Sequence, residues 1–139
     1  MATLEDVRRI ALGLPEMYEK PSGQRGTATW RVKQDYIVWE RTPGKTDLKQ
    51  LAQLGRSWPE GPVAAVLVDG SDFKEALLDG YPDVFFSIPH FETLDAVLFH
   101  LNAIELDHLE DLIVDAWLLK APRRVARQWL AEHRPNVAN

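Results

Sequence analysis

Thr27-Ala28-Thr29-Trp30-Arg31-Val32-Lys33-Gln34-Asp35-Tyr36-Ile37-Val38-Trp39-Glu40-Arg41 is the stretch on which the fold turns. Ala28, Trp30 and Val32 alternate with Thr27, Thr29, Arg31 and Lys33, and a second strand-like run follows at Tyr36–Arg41. A period of two sends successive side chains to opposite faces of a strand, so two such runs around a short polar break read as a β-hairpin. With Gln34-Asp35 as a two-residue loop, Trp30 is set opposite Trp39 and Val32 opposite Ile37, and the large apolar residues share one face. The other face then shows Arg31, Lys33, Tyr36, Val38 and Glu40. Gln-Asp is not a preferred turn dipeptide, and a longer loop with another register is the alternative.

On the N-terminal side of the hairpin, Thr3 and Asp6 form a capping-box pattern, and Leu4, Val7, Ile10, Ala11 and Leu14 recur at helical spacing. This predicts a helix from Leu4 to Gly13, stopped by Gly13 and Pro15, then an exposed loop at Lys20-Pro21-Ser22-Gly23-Gln24. On the C-terminal side, a short helix capped by Thr46 or Asp47 carries Leu48, Leu51 and Ala52. Val63–Val68 reads as a strand buried on much of both faces. A helix from Ser71 or Asp72 runs to Leu78. Val84–Ile88 and Ala96–Leu101 are strand candidates joined by a wide loop, with helix a competitor for the second. Glu105–Lys120 is the clearest helix, with Leu106, Leu109, Ile113, Ala116 and Trp117 on one stripe and acidic residues in its first turns. Pro122 then starts a last helix near Arg123–Glu132.

Strands joined mostly by hairpins, with helices grouped between them, define an α+β fold. The expectation is two layers, an antiparallel sheet of about five strands covered by helices on one face, in a single domain over residues 1–139.

Composition narrows the functional classes. The chain has 139 residues and no cysteine, which removes disulfides, thiolate metal sites and thiol nucleophiles and favours a reducing compartment. The N-terminus lacks the basic start and apolar run of a signal peptide, and no stretch approaches the roughly 18 apolar residues of a membrane span. A cytoplasmic location without membrane contact is predicted. The net charge of −5 opposes indiscriminate binding to nucleic acid. It conceals a partition, however: ten Lys/Arg against seven Asp/Glu in residues 1–58, one against thirteen in 59–119, and five against one in 120–139. Such asymmetry predicts a polarised surface.

No phosphate loop, nucleophile elbow or His-x-x-x-His pair occurs, so neither a metal nor a cofactor is predicted and no residue is nominated as catalytic. His100, Asp107 and His108 lack a tight metal-ligand spacing. Adjacent Glu110 and Asp111 read as a solvated helix face.

Several segments together resemble the YjbR (MmcQ/YjbR) family. These are Val7-Arg8-Arg9-Ile10-Ala11-Leu12 leading to Leu14-Pro15, Trp30-Arg31-Val32, Ala76-Leu77-Leu78 with Phe85-Phe86, Pro89-His90-Phe91, and Asp115-Ala116-Trp117 with Ala121-Pro122. The likeness spans nearly the whole chain. It departs after His90, where Phe91 and Thr93-Leu94-Asp95 stand in place of an aromatic Tyr and a Gly-Tyr-Pro turn. The resemblance implies a two-layer α+β fold with an antiparallel sheet and a DNA-binding role, and it brings no catalytic residues.

The candidate nucleic-acid contacts are Arg31, Lys33 and Tyr36 on the exposed hairpin face, Arg25 and Arg41 at its ends, and Arg123, Arg124 and Arg127, with Lys120 beside them, near the C-terminus. Guanidinium groups grip phosphates, and a two-stranded ribbon fits a major groove. The same residues also suit a plain solvated face. Arg123 and Arg124 at a helix N-terminus go against the macrodipole, which favours a binding role for them. Trp30, Trp39 and Trp117 are expected in one core. His90, in a loop between strands, is a weaker candidate for contacting a ligand. The alternative function is a protein- or small-ligand-binding adaptor without affinity for DNA.

Overall fold

A computed structural model of the chain describes residues 1–135. Its helices are α1 (Leu4–Leu12), α2 (Lys45–Gln53), α3 (Gly70–Gly80), α4 (Leu106–Lys120) and α5 (Arg123–His133). The strands are β1 (Tyr18–Ser22), β2 (Thr27–Val32), β3 (Asp35–Glu40), β4 (Val63–Leu67), β5 (Phe85–Phe86) and β6 (Ala96–His100), with a 3-10 turn at Pro89–Phe91. The strands form one antiparallel sheet in the order β1-β2-β3-β4-β6-β5. The α+β fold with an antiparallel sheet is thus as the sequence predicts, with six strands. Ala96–Leu101 resolves as a strand because it pairs with the central β4 along that strand's whole length.

The additional strand is β1, at the position read as a loop. Tyr18, Glu19, Lys20 and Pro21 are all exposed, so no alternation marks the segment. Pro21 is tolerated because β1 is an edge strand, where a missing N–H costs no ladder bond.

The hairpin forms, but its register differs from the expected one. The turn is Lys33-Gln34, with Val32 paired to Asp35 and Arg31 to Tyr36, while Trp30 pairs with Val38 and Thr29 with Trp39. Ile37 is the extra residue of a bulge on β3. A bulge opposes two residues to one and turns both toward the same side. Ile37 and Val38 therefore both lie in the core, so Val38 is not on the exposed face, and Trp39 is rotated to the face opposite Trp30. The expectation of one core holding Trp30, Trp39 and Trp117 is corrected accordingly.

The principal core lies between the sheet and helices α1 and α4. Thr3 and Asp6 cap α1 reciprocally, and the helix buries Val7, Ile10 and Ala11. The α4 helix buries Leu109, Leu112, Ile113, Val114, Ala116 and Trp117. The Trp117 indole donates to the Pro15 carbonyl (3.0 Å) and the Trp30 indole to Glu19 Oε1 (2.9 Å), so neither large ring buries an unpaired N–H. The α5 helix is only laid on this core, through Val125 and Trp129, and Trp129 meets Trp117 edge-on at 5.6 Å.

A smaller core covers part of the opposite face. Ala65 and Ala96 present short side chains there, and Leu51 of α2, Ile88 and Phe91 settle over them with Leu98 and Val63. The 3-10 turn and the loop after it are tied down by Lys74 of α3, whose buried ammonium donates to the carbonyls of Phe91 and of Leu94 (2.9 Å). This second cover stops at Trp39. Among the described residues, the half of that face belonging to β1, β2 and β3 carries no helix.

Among the described residues no helix is long and apolar enough to cross a membrane.

Candidate functional site

The bare half of the sheet opens into a cleft of about 390 Å³. Its origin is a fork between β2 and β3. Their pairing ends at Thr29 and Trp39, and the Ala28 N–H, which points toward β3, donates to Glu40 Oε1 (3.1 Å). Beyond the fork β3 stays with its other neighbour, the Arg41 N–H donating to the Val63 carbonyl (3.0 Å), while β2 stays with β1. The β1–β2 turn forms one wall and the Arg41–Gly44 segment the other, and Arg25 spans the gap by donating to the Pro43 carbonyl (3.1 Å). Gly23 and Gly26 adopt left-handed backbone angles in that turn (φ 72° and 63°), which a Cβ would strain.

Tyr36 and Trp39 make the floor, edge to face with ring centroids 5.5 Å apart. The Arg31 guanidinium lies over the Tyr36 ring at 4.1 Å and donates to Tyr36 Oη (2.9 Å) and to Thr29 Oγ1 (2.8 Å). Ser22 Oγ bonds the same phenol at 2.8 Å. Arg41 is held differently: it pairs with the buried Asp47 carboxylate (2.7 Å), and that carboxylate also accepts the Gly44 N–H (2.9 Å) at the start of α2. Arg41 is therefore largely committed to the fold, whereas Arg25 keeps most of its donors for solvent. The floor continues past Tyr36 and Trp39 into a second groove of about 260 Å³ that reaches Lys120 at the end of α4 and also contains Asp35 and Asp95. The whole track is thus of mixed charge.

Of the residues nominated from sequence, Arg25, Arg31, Tyr36 and Arg41 are brought to this one face. Lys33 is at the hairpin turn, exposed, with a left-handed backbone (φ 56°) and a carbonyl that accepts from Tyr18 Oη. Arg123, Arg124 and Arg127 are exposed on α5, which belongs to the helical layer. The basic residues therefore form two sets rather than one. His90 is exposed in the 3-10 turn with its ring 5.8 Å from that of Phe91, and it lines neither groove.

Trp39, which the expected register puts in the core, lines the cleft, as does Glu40, which the sequence places on the exposed face but does not single out as a contact. Ile37-Val38, two adjacent β-branched apolar residues in an otherwise alternating strand, is the signal of the bulge that places them there.

The molecule is of the class defined by a six-stranded antiparallel sheet, helices packed across one face and a partial cover on the other. Its fold is similar to that of the Deinococcus radiodurans protein DR2400, a DUF419 domain protein known from a crystal structure. The TM-score is 0.66 at 18% identity, covering 94% of this chain and 89% of that one. No protein-family model matches. The chain belongs to the family of the uncharacterised proteins Rv2570 of Mycobacterium tuberculosis and Mb2600 of Mycobacterium bovis. It is 38% identical to each over 131 residues, which cover 94% of this chain and 98% of each relative.

Proposed function

We propose that this chain is a nucleic-acid-binding domain of the YjbR type, non-enzymatic, that engages DNA through the open half of its sheet. The observation that carries the reading is the gathering of Arg25, Arg31, Tyr36 and Arg41 around one uncovered cleft floored by Tyr36 and Trp39. Cations beside half-buried aromatic rings at an open cleft suit a ligand that is both anionic and planar. The helical layer contributes a second basic set on α5, which would touch DNA only if the nucleic acid wrapped around the domain.

Titration of labelled duplex and single-stranded DNA at several salt concentrations tests this. Logarithmic affinity should fall linearly with logarithmic salt, by roughly 0.9 per duplex phosphate neutralised and roughly 0.7 per single-strand phosphate. Arg25→Ala with Lys33→Ala should lower the slope by up to about two units if each residue meets one phosphate. Arg123→Ala with Arg124→Ala shows whether the helical layer takes part. Absence of binding at low salt would sink the proposal.

A second reading, a small-ligand or protein adaptor, is favoured by the carboxylates of Glu40, Asp35 and Asp95 along the same track. These groups repel phosphate. Binding that responds little to salt would support it.

A further inference from the structure

Resting on the nucleic-acid reading above, we infer that the cleft at the β2–β3 fork takes a single unpaired nucleotide and prefers a base that presents an amino group. Three observations meet there.

The first is shape. Tyr36 and Trp39 stand nearly perpendicular, with an interplanar angle of 85°, and line a cleft of about 390 Å³, inside the roughly 300–1,000 Å³ range of small-ligand sites. A base laid on one ring abuts the edge of the other. A base inside a duplex has both faces stacked and cannot enter such a corner.

The second is the acceptor. Glu40 lines the cleft half-buried, and its Oε1 accepts the Ala28 N–H at 3.1 Å. Among the described residues its Oε2 makes neither a hydrogen bond nor an ion pair. The adjacent Arg41 cannot neutralise it, because that guanidinium is spent on Asp47 and the Thr42 carbonyl. An ionised carboxylate accepts and never donates. It therefore favours an exocyclic amino group such as cytosine N4 over the O4 acceptor that thymine places at the same point, leaving thymine only its neighbouring N3–H to offer.

The third is the cation. Arg25 is exposed at the cleft wall and its one hydrogen bond among the described residues is from Nη1 to Pro43. The rest of its fork is available to a phosphate attached to the seated nucleotide. Glycines on either side of the β1–β2 turn let the backbone carry this arginine over the cleft.

The test uses the full chain with oligo(dC), oligo(dT) and a hairpin duplex of equal charge, followed by anisotropy and tryptophan fluorescence. Wild type should bind oligo(dC) on the order of tenfold tighter than oligo(dT), as one charge-assisted hydrogen bond allows. Glu40→Gln, which can still accept the Ala28 N–H but can also donate, should bring the two strands level. Trp39→Phe keeps an aromatic floor and should remove most of the fluorescence change. Arg25→Ala, at an exposed position, should weaken both strands alike. Urea midpoints of each variant check that the fold is kept. Equal affinity for dC and dT, or a preference that survives Glu40→Gln, overturns this inference while leaving nucleic-acid binding in place. A duplex that binds tighter than either strand overturns it as well. No binding of any probe at low salt removes the broader reading together with this one.

Discussion

Trp30 and Trp39 sit on paired strands one residue out of register with each other, and they point to opposite faces of the sheet. The Ile37 bulge shifts the pairing by one residue, so that Val38 and not Trp39 stands opposite Trp30. Trp30 is fully buried against the helical layer, and Trp39 is half-buried at the edge of the open cleft.

Trp30→Ala and Trp117→Ala should each destabilise the protein by roughly 3–5 kcal/mol, the range for emptying a large aromatic site in a packed core. Trp39→Ala should cost clearly less, since one side of its ring already meets solvent. Urea unfolding of the three variants checks the order. Equal losses at Trp39 and Trp30 would contradict the two-faced arrangement.

Asp47 should matter more than its helix position suggests. It is buried, pairs with Arg41 at 2.7 Å and accepts the Gly44 N–H, so Asp47→Ala strands a partly buried guanidinium and uncaps α2. A loss of about 3 kcal/mol is expected. Adding Arg41→Met to the same variant should restore part of it, because the unpaired charge is then gone. A double variant no more stable than the single one would show that capping, not pairing, is the main contribution.

His100 links stability to pH. Its ring stacks on Phe86 at 4.7 Å, and burial holds its pKa below the ordinary 6.5. Between the lowered folded value and 6.5 the unfolded chain binds more protons than the folded one, so stability rises with pH through that window. Its stabilising effect is complete above the unfolded value and is lost as the pH falls through the window. Relative to a His100→Phe variant, which keeps the stack without the charge, wild type should lose stability on going from about pH 8 to pH 5. Parallel curves for the two proteins would refute this.

Lys74 holds the loop that covers the small core. Burial lowers its pKa first of all, and the nearby charges of Asp95 and Glu92 oppose the shift. Lys74→Met leaves the carbonyls of Phe91 and Leu94 without this donor and should cost about 1–3 kcal/mol. Faster hydrogen exchange at residues 91–95 should accompany the loss. A gain in stability would mean that desolvating the ammonium outweighs its two hydrogen bonds.

Much of the architecture was legible because it is local. The Thr3–Asp6 box, the stripe of α4 and the apolar run of β4 are periodic signals whose physics needs only near neighbours. The edge strand β1 was not legible, since a segment exposed on all but one position has no alternation and owes its conformation to hydrogen bonds with β2. The candidate site was half legible. Arg25, Arg31, Tyr36 and Arg41 stood out as basic and aromatic residues around one hairpin, whereas Trp39 was assigned to the core by a register one bulge away from the observed one, and Glu40 carried no sign that it would be a free acceptor.

From its residues alone, then, this protein is an α+β chain with an antiparallel sheet, no thiol chemistry and basic groups clustered at its hairpin and C-terminus, because composition and periodicity are properties of the chain itself. Only the tertiary structure decided which face Trp39 takes, that Arg123, Arg124 and Arg127 part company with the hairpin arginines, and that the sheet forks into a cleft at Glu40. Those outcomes depend on a one-residue shift in pairing and on which half of the second face α2 covers, and both are settled by packing between segments far apart in sequence.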